Sequence, residues 1–248
     1  MLRVLHLTDP HLFAARDGSL RGTVTYDSLS SVLAHYRGGD WQADIAVVTG
    51  DLIQDDSPGA YVHFRDMLSE LEIPVHCVPG NHDIRALMRS ALAEPPFHYC
   101  ASIELGEWLV VGIDSCINEY AGGSVSEAEF ERLDTAIEQS AAQHVMVCLH
   151  HPPVAMGSRW LDTVGLDNGE ETLQRLSASG KVRLAVFGHV HQDHDAEYAG
   201  IQIIATPSTC SQFAVGSDEF AIDDNPPAYR RLQLNADGTQ SNELIWVP

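Results

Sequence analysis

Leu5-His6-Leu7-Thr8-Asp9-Pro10-His11 decides the reading of this chain: a short apolar run stops abruptly on an Asp-x-His triplet. The run belongs to a segment, Arg3–Leu7, whose length and bounding Asp and Pro mark a buried strand. Moving outward, the same arrangement returns four times. Ile45–Val48 leads into Thr49-Gly50-Asp51, and Val75–Val78 into Pro79-Gly80-Asn81-His82-Asp83. Val145–Leu149 leads into His150-His151-Pro152, and Leu184–Phe187 into Gly188-His189-Val190-His191. In open α/β sheets functional groups gather beyond the carboxyl ends of the strands, so five such ends can converge. Asp, Asn and His are hard or borderline ligands, and imidazole with carboxylate suits Fe, Mn, Co or Zn better than Ca or Mg. Asp9/His11 and His189/His191 are i, i+2 pairs, which point to one side of an extended chain. Gly50, Gly80 and Gly188 permit tight departures of the backbone around such a cluster.

The full set of apolar runs predicts strands over Arg3–Leu7, Asp44–Val48, Val75–Val78, Trp108–Ile113, His144–Leu149 and Arg183–Phe187. Amphipathic stretches between them predict helices over Tyr26–Tyr36, Ala60–Leu71, Ile84–Leu92, Glu127–Gln139 and Glu170–Ser179. Ser126 with Glu129 reads as a capping box, and Asn168 or Gly169 starts the fifth helix. After Val190 the pattern turns to strands, over Tyr198–Ala205, Tyr229–Leu234 and Glu243–Val247, with a turn at Asp237–Gly238. Phe213–Pro227, acidic and ending in Pro-Pro, reads as a long surface loop. The expectation is a single α/β domain over residues 1–248, with mixed β-sheets flanked by helices.

Composition narrows the partners. The 248 residues include 14 basic and 35 acidic ones, a net charge of −21, and Lys181 is the only lysine. Such a chain repels nucleic acid and anionic membrane, which need clustered Lys and Arg. A phosphate substrate would therefore require bound cations to reverse the local field. Cys77, Cys100, Cys116, Cys148 and Cys210 form no CxxC pair, the N-terminus lacks a signal-peptide core, and no run is long enough to span a membrane. These features predict a reduced, cytoplasmic protein. His6, His35, His63, His76, His98, His144 and His194 read as ordinary strand, helix or loop residues, and His151 as a loop histidine. Asp114 and Ser115 read as loop structure, and the Tyr and Trp residues as core or surface rather than a base-stacking box.

Taken in order, Asp9-x-His11, Gly50-Asp51, Gly80-Asn81-His82-Asp83, His150-x-Pro152 and Gly188-His189-x-His191 resemble the calcineurin-like metallophosphoesterase superfamily. The resemblance spans residues 9 to 191 and implies a four-layer metallophosphoesterase sandwich with a binuclear metal centre. Carried onto matching positions, it implies one metal on Asp9, His11, Asp51 and His191. A second would lie on Asp51, Asn81, His150 and His189, with Asp51 bridging. Iron and manganese lead the expected metals, with Co and Zn as alternatives. Leu166-Asp167-Asn168-Gly169-Glu170, Ala205–Cys210 with Gln212-Phe213, and Pro227–Arg231 are similar to stretches of bacterial class III cyclic nucleotide phosphodiesterases. That similarity implies hydrolysis of a 3′,5′-cyclic nucleotide, cyclic AMP first, to the 5′-monophosphate. A broad phosphodiesterase or phosphomonoesterase on other small esters is the alternative, and a metal-binding scaffold without turnover is the third. The resemblance also allows a homodimer, with no interface legible in the sequence.

The implied mechanism is attack of a metal-bound hydroxide on phosphorus, with the metals and the Asn81 amide binding the non-bridging oxygens. His82, beside a ligand without being one, is the expected general acid. Asp83 is expected to orient His82 and raise its pKa, or to cap the helix from Ile84, or both.

Overall fold

The computed structural model describes all of residues 1–248. The first half of the chain carries β1 (Leu2–Leu7), β2 (Ser19–Leu20), β3 (Thr23–Val24), α1 (Thr25–Gly38), β4 (Ile45–Val48), α2 (Pro58–Ser69), β5 (Val75–Cys77), α3 (Arg85–Ala91) and β6 (Phe97–Tyr99). The middle carries β7 (Ser102–Leu105), β8 (Trp108–Gly112), α4 (Glu127–Gln139), β9 (His144–Cys148), α5 (Arg159–Asp162), α6 (Gly169–Ala178) and β10 (Val182–Phe187). The last part carries β11 (His194–Tyr198), β12 (Ile201–Ala205), β13 (Gln212–Phe213), β14 (Ile222–Asp223), β15 (Ala228–Leu234) and β16 (Gln240–Trp246).

Two six-stranded mixed sheets result, ordered β16-β15-β1-β4-β5-β6 and β11-β12-β10-β9-β8-β7. In the first, β1, β4, β5 and β6 are parallel, and in the second β8, β9, β10 and β12 are. Strand alternation sends side chains to two different cores. Val4, Ile45, Val47, Met146, Cys148, Leu184 and Val186 meet between the sheets, around a fully enclosed Trp108. Leu5, Leu7, Ala46 and Val48 face the opposite way, onto α1 and α2 through Leu29, Val32, Leu33, Tyr61 and Phe64. Val145, Val147, Ala185 and Phe187 pack outward on α4 and α6 through Phe130, Leu133, Leu173 and Leu176. The order is helix, sheet, sheet, helix, the expected four layers. Parallel strands covered on both faces must be apolar throughout, which is why their runs show no alternation in the sequence.

Several local expectations are corrected. Tyr198–Ala205 is not one strand, because Ala199 and Gly200 both adopt positive φ and close a two-residue hairpin between β11 and β12. The segment from Phe213 is not simply a surface loop: β13 and β14 pair antiparallel, and Phe213 is buried. Ile84 rather than Asp83 is the N-cap of α3, and it makes no side-chain cap bond. Only half the capping box forms. Ser126 Oγ accepts from Glu129 N at 3.2 Å, while the Glu129 carboxylate turns to Asp114 N and Arg132. No helix is long and apolar enough to cross a membrane.

Candidate metal centre

Because β1, β4 and β5 run parallel in one sheet and β9 and β10 in the other, their carboxyl ends open on one edge of the sandwich. Asp9 and His11 follow β1, Asp51 follows β4, Asn81 follows β5, His150 follows β9, and His189 and His191 follow β10. The structure brings all seven together. The i, i+2 pairs do not reach the site as extended chain, however. Asp9, His11, Asp51, His189 and His191 all have left-handed φ, between 48° and 68°. Such a conformation costs an L-residue about 1–3 kcal/mol and persists where surrounding structure enforces it, typically at functional sites. Gly188 shows why no side chain fits there: an added Cβ would overlap Thr8 Oγ1 and lie 2.6 Å from Asp9 Oδ2.

The donor atoms fall into two facing groups that share Asp51. Asp51 Oδ2 lies 3.7 Å from His11 Nε2, which is 3.1 Å from His191 Nε2, itself 3.5 Å from Asp9 Oδ1. Asp51 Oδ1 lies 3.5 Å from His150 Nε2, and Asn81 Oδ1 lies 3.1 Å from that nitrogen and 3.0 Å from His189 Nδ1. Metal–nitrogen bonds of about 2.0–2.1 Å space neighbouring donors about 3.0–3.4 Å apart, so these clusters fit a metal ion each. Their outer atoms fix the tautomers. His150 Nδ1 donates to the Thr49 carbonyl at 2.7 Å and His191 Nδ1 to the Ser211 carbonyl at 2.6 Å, so each Nε2 faces the cluster and, when unprotonated, offers its lone pair there.

Electrostatics favour a cation. Asp9 and Asp51 are buried together. Burial opposes the charge on Asp51, but His150 foremost, then His82 and His11, hold it well below the carboxylate range. Burial likewise opposes a proton on His150, yet Asp51 overcomes it and pushes the imidazole up to about 9. His11, by burial, is lowered to about 3.

Other residues depart from expectation. His82 is half-buried, its ring edge-on to His11 at 5.0 Å and its backbone N–H donating to Asp51 Oδ1 at 2.9 Å. The Asp83 carboxylate does not reach the His82 ring. It accepts from Gly80 N at 2.9 Å, Leu52 N at 3.2 Å and Tyr61 Oη at 3.0 Å, so it ties the Asn81 loop to the Asp51 loop. Burial, then Asp51, raises it to about 7. His151 lies in the loop after β9, as expected, but it is buried there, its ring centroid 4.9 Å from that of His189. It donates from Nε2 to the Ala121 carbonyl at 3.1 Å and accepts from Ser115 Oγ at 2.9 Å. Two adjacent histidines after one strand, with Ser115 after the neighbouring strand, were the available signal. A cavity of about 180 Å³ opens over the cluster, lined by His11, Asn81 and His82 on its floor and by Arg21, Trp160 and Phe213 on its wall. The aromatic wall comes from segments distant in sequence, and no motif marks it.

Carboxylates, an amide and imidazoles grouped around a shared aspartate, at the rim of a four-layer sandwich, form a donor set suited to a metal-dependent phosphoesterase. The chain belongs to the calcineurin-like phosphoesterase family, whose pattern matches residues 2–193. It is 36% identical over 244 residues to the 3′,5′-cyclic adenosine monophosphate phosphodiesterase CpdA of Escherichia coli K12, covering 98% of this chain and 89% of that one. A 3′,5′-cyclic-nucleotide phosphodiesterase of Nostoc is 30% identical, covering 100% and 93%. Among solved structures, a dimetal phosphatase from Danio rerio shares the fold with a TM-score of 0.64 at 15% identity, covering 100% and 99%.

Proposed function

We propose that the chain hydrolyses 3′,5′-cyclic nucleotides, cyclic AMP first, to 5′-monophosphates. The observation that carries this is Asp51 offering one carboxylate oxygen to His11 at 3.7 Å and the other to His150 at 3.5 Å, a bridge between two ligand sets. The substrate class follows from relatives named for this activity at 30–36% identity over nearly the whole chain. Asp9, His11, Asp51 and His191 would hold one ion, and Asp51, Asn81, His150 and His189 the other. Fe and Mn suit this donor set first, with Co and Zn as alternatives. Bound ions supply Lewis acidity toward phosphate and activate water near neutral pH.

The chain's own groups do the rest. Asn81, with its amide oxygen turned to His150 and His189, keeps its N–H donors for a non-bridging phosphate oxygen. As a water oxygen adds to phosphorus and yields its proton to solvent, the P–O3′ bond breaks, and His82 gives its ring proton to O3′ and is reprotonated from solvent. Asp83 acts on this step by fixing the loop that carries Asn81 and His82. Both sheets contribute ligands, so residues 1–248 work as one catalytic domain. Five unpaired cysteines suit a reducing cytoplasm. A turnover panel with Mn²⁺ tests the reading, using cyclic AMP, cyclic GMP, 2′,3′-cyclic AMP, an aryl diester and an aryl monoester. Cyclic AMP is expected to lead; turnover of the monoester alone would overturn the assignment.

A further inference from the structure

Arg21 occupies a turn position that ordinarily favours asparagine or aspartate. The register Ser19↔Val24 and Leu20↔Thr23 leaves Arg21–Gly22 as a two-residue hairpin connection, with φ of 51° and 87°. Positive φ at both central residues is the type I′ pattern, for which Asn-Gly and Asp-Gly are the low-energy choices. An arginine held left-handed needs a reason beyond the turn, and left-handed side chains gather at functional sites.

Its guanidinium lies 4.9 Å from the ring centroids of both Phe213 and Phe220. Phe213 stacks on the metal-site imidazole of His191 at 4.2 Å and 9°, which takes one of its faces. The guanidinium is therefore left with the other face or the edge of Phe213. Trp160 closes the wall, 5.0 Å from Phe213 and 5.2 Å from Phe220. Its indole N–H is buried and has no partner in the protein. Arg21 forms no salt bridge and none of its N–H donors bonds within the protein, in contrast to Arg85 on the far side of Asn81. Arg85 is engaged by Asp114 at 3.2 Å, the Cys116 carbonyl at 3.0 Å and Asn118. In a chain of net charge −21, Arg21 is the one arginine or lysine lining the cavity over the metal cluster.

The cavity thus has two chemically distinct parts. Its floor of His11, Asp51, Asn81 and His82 suits a phosphate with its ions, and its wall is flat, aromatic and carries unused donors. We infer that Arg21, with Trp160 and Phe213 of the cavity wall and Phe220 packed behind them, binds the nucleoside half of the substrate and sets selectivity for nucleotides over simple phosphodiesters. The purine lies on the aromatic wall, and the guanidinium fork donates to its ring nitrogens or to the ribose hydroxyls. This rests on the phosphodiesterase reading above and names the substrate recognition of the same site.

The test compares Arg21→Ala and Arg21→Lys with the wild-type enzyme, all loaded with Mn²⁺ and checked for metal content. For Arg21→Ala, the ratio of kcat/KM for cyclic AMP to that for methyl p-nitrophenyl phosphate is expected to fall about tenfold or more, carried by KM. In parallel, the preference for binding 5′-AMP over ribose 5-phosphate, read by Trp fluorescence, is expected to fall about tenfold. Arg21→Lys recovers only a minor part, because an ammonium lacks the planar fork. An unchanged ratio with an unchanged binding preference overturns the inference. Wild-type turnover of the aryl diester without turnover of cyclic AMP would instead sink the proposed function, and the 5′-AMP comparison would still decide the role of Arg21.

Discussion

The ring of His6 is joined to the carboxylate of Asp9 through two threonine hydroxyls. Thr8 Oγ1 donates to Asp9 Oδ2 at 2.6 Å, Thr49 Oγ1 donates to Thr8 Oγ1 at 2.8 Å, and His6 Nε2 is 2.9 Å from Thr49 Oγ1. Each hydroxyl has one proton, and an ionised carboxylate only accepts, so every direction in the chain is fixed. His6 must carry a proton on Nε2, and its Nδ1 lies 2.7 Å from Thr206 Oγ1, which donates to it when the ring is neutral. Thr206 in turn accepts from the buried Arg230 Nε at 3.2 Å. Burial first, then Arg230, lowers His6 to about 3, which keeps the ring neutral.

Thr49→Val breaks this chain in the middle and leaves a buried imidazole N–H without an acceptor. A loss of about 1–3 kcal/mol is expected from the unsatisfied group, or roughly 2–10 °C in Tm for a chain of this size. Calorimetry on metal-free protein reads it. Because Thr206→Val acts on the same chain, the double variant should lose clearly less than the sum of the two. Additive losses would show that the hydroxyls act separately.

Asp51→Asn removes the shared carboxylate while preserving shape. Metal affinity is expected to fall by more than the roughly 10–100-fold typical of outer-sphere partners, and bound metal by elemental analysis to drop below two per chain. Two tightly held ions in this variant would show that Asp51 bridges nothing.

That the candidate residues come together is legible in the sequence, and the reason is the sheets. Parallel strands buried on both faces leave uninterrupted apolar runs, so Asp9, Asp51, Asn81, His150, His189 and His191 each stand out at the end of one. What surrounds them was not legible, because it depends on contacts between distant segments. His6 meets Thr206 across 200 positions, and only its place on the same strand face as Val4 hinted that it points between the sheets. Phe213 sits in an acidic segment that reads as a loop, and only the fold lays it on His191. Asp83 was misassigned for a related reason: its partners, Leu52 N and Tyr61 Oη, belong to a neighbouring strand end and to α2.

pH separates the empty from the loaded site. In metal-free protein Asp51 raises His150 from 6.5 to about 9 against its burial, so the folded state binds the proton more tightly than the unfolded chain. That contribution to stability is fully present below about pH 6.5 and is lost as pH rises through 9. Metal-free protein should therefore lose Tm between pH 6.5 and 9. His150→Gln should flatten that slope. Metal binding must displace the proton, so affinity for Mn²⁺ should rise over the same window with measurable proton release. Affinity independent of pH would place His150 outside the ligand set.

His82 divides the chemistry from the metals. It is half-buried beside His11 and hydrogen-bonds Asp51 only through its backbone, so His82→Ala is expected to remove the imidazole and leave the proposed ligand sets in place. Both ions should remain, and kcat for cyclic AMP should fall by roughly 10²–10⁴, the usual worth of a positioned acid. The penalty depends on the leaving group. A ribose alkoxide needs a proton as the P–O3′ bond breaks, whereas p-nitrophenolate departs without one, so the loss on an aryl diester should be much smaller. Equal losses on both substrates would assign His82 to holding phosphate, and an emptied site would make it a ligand.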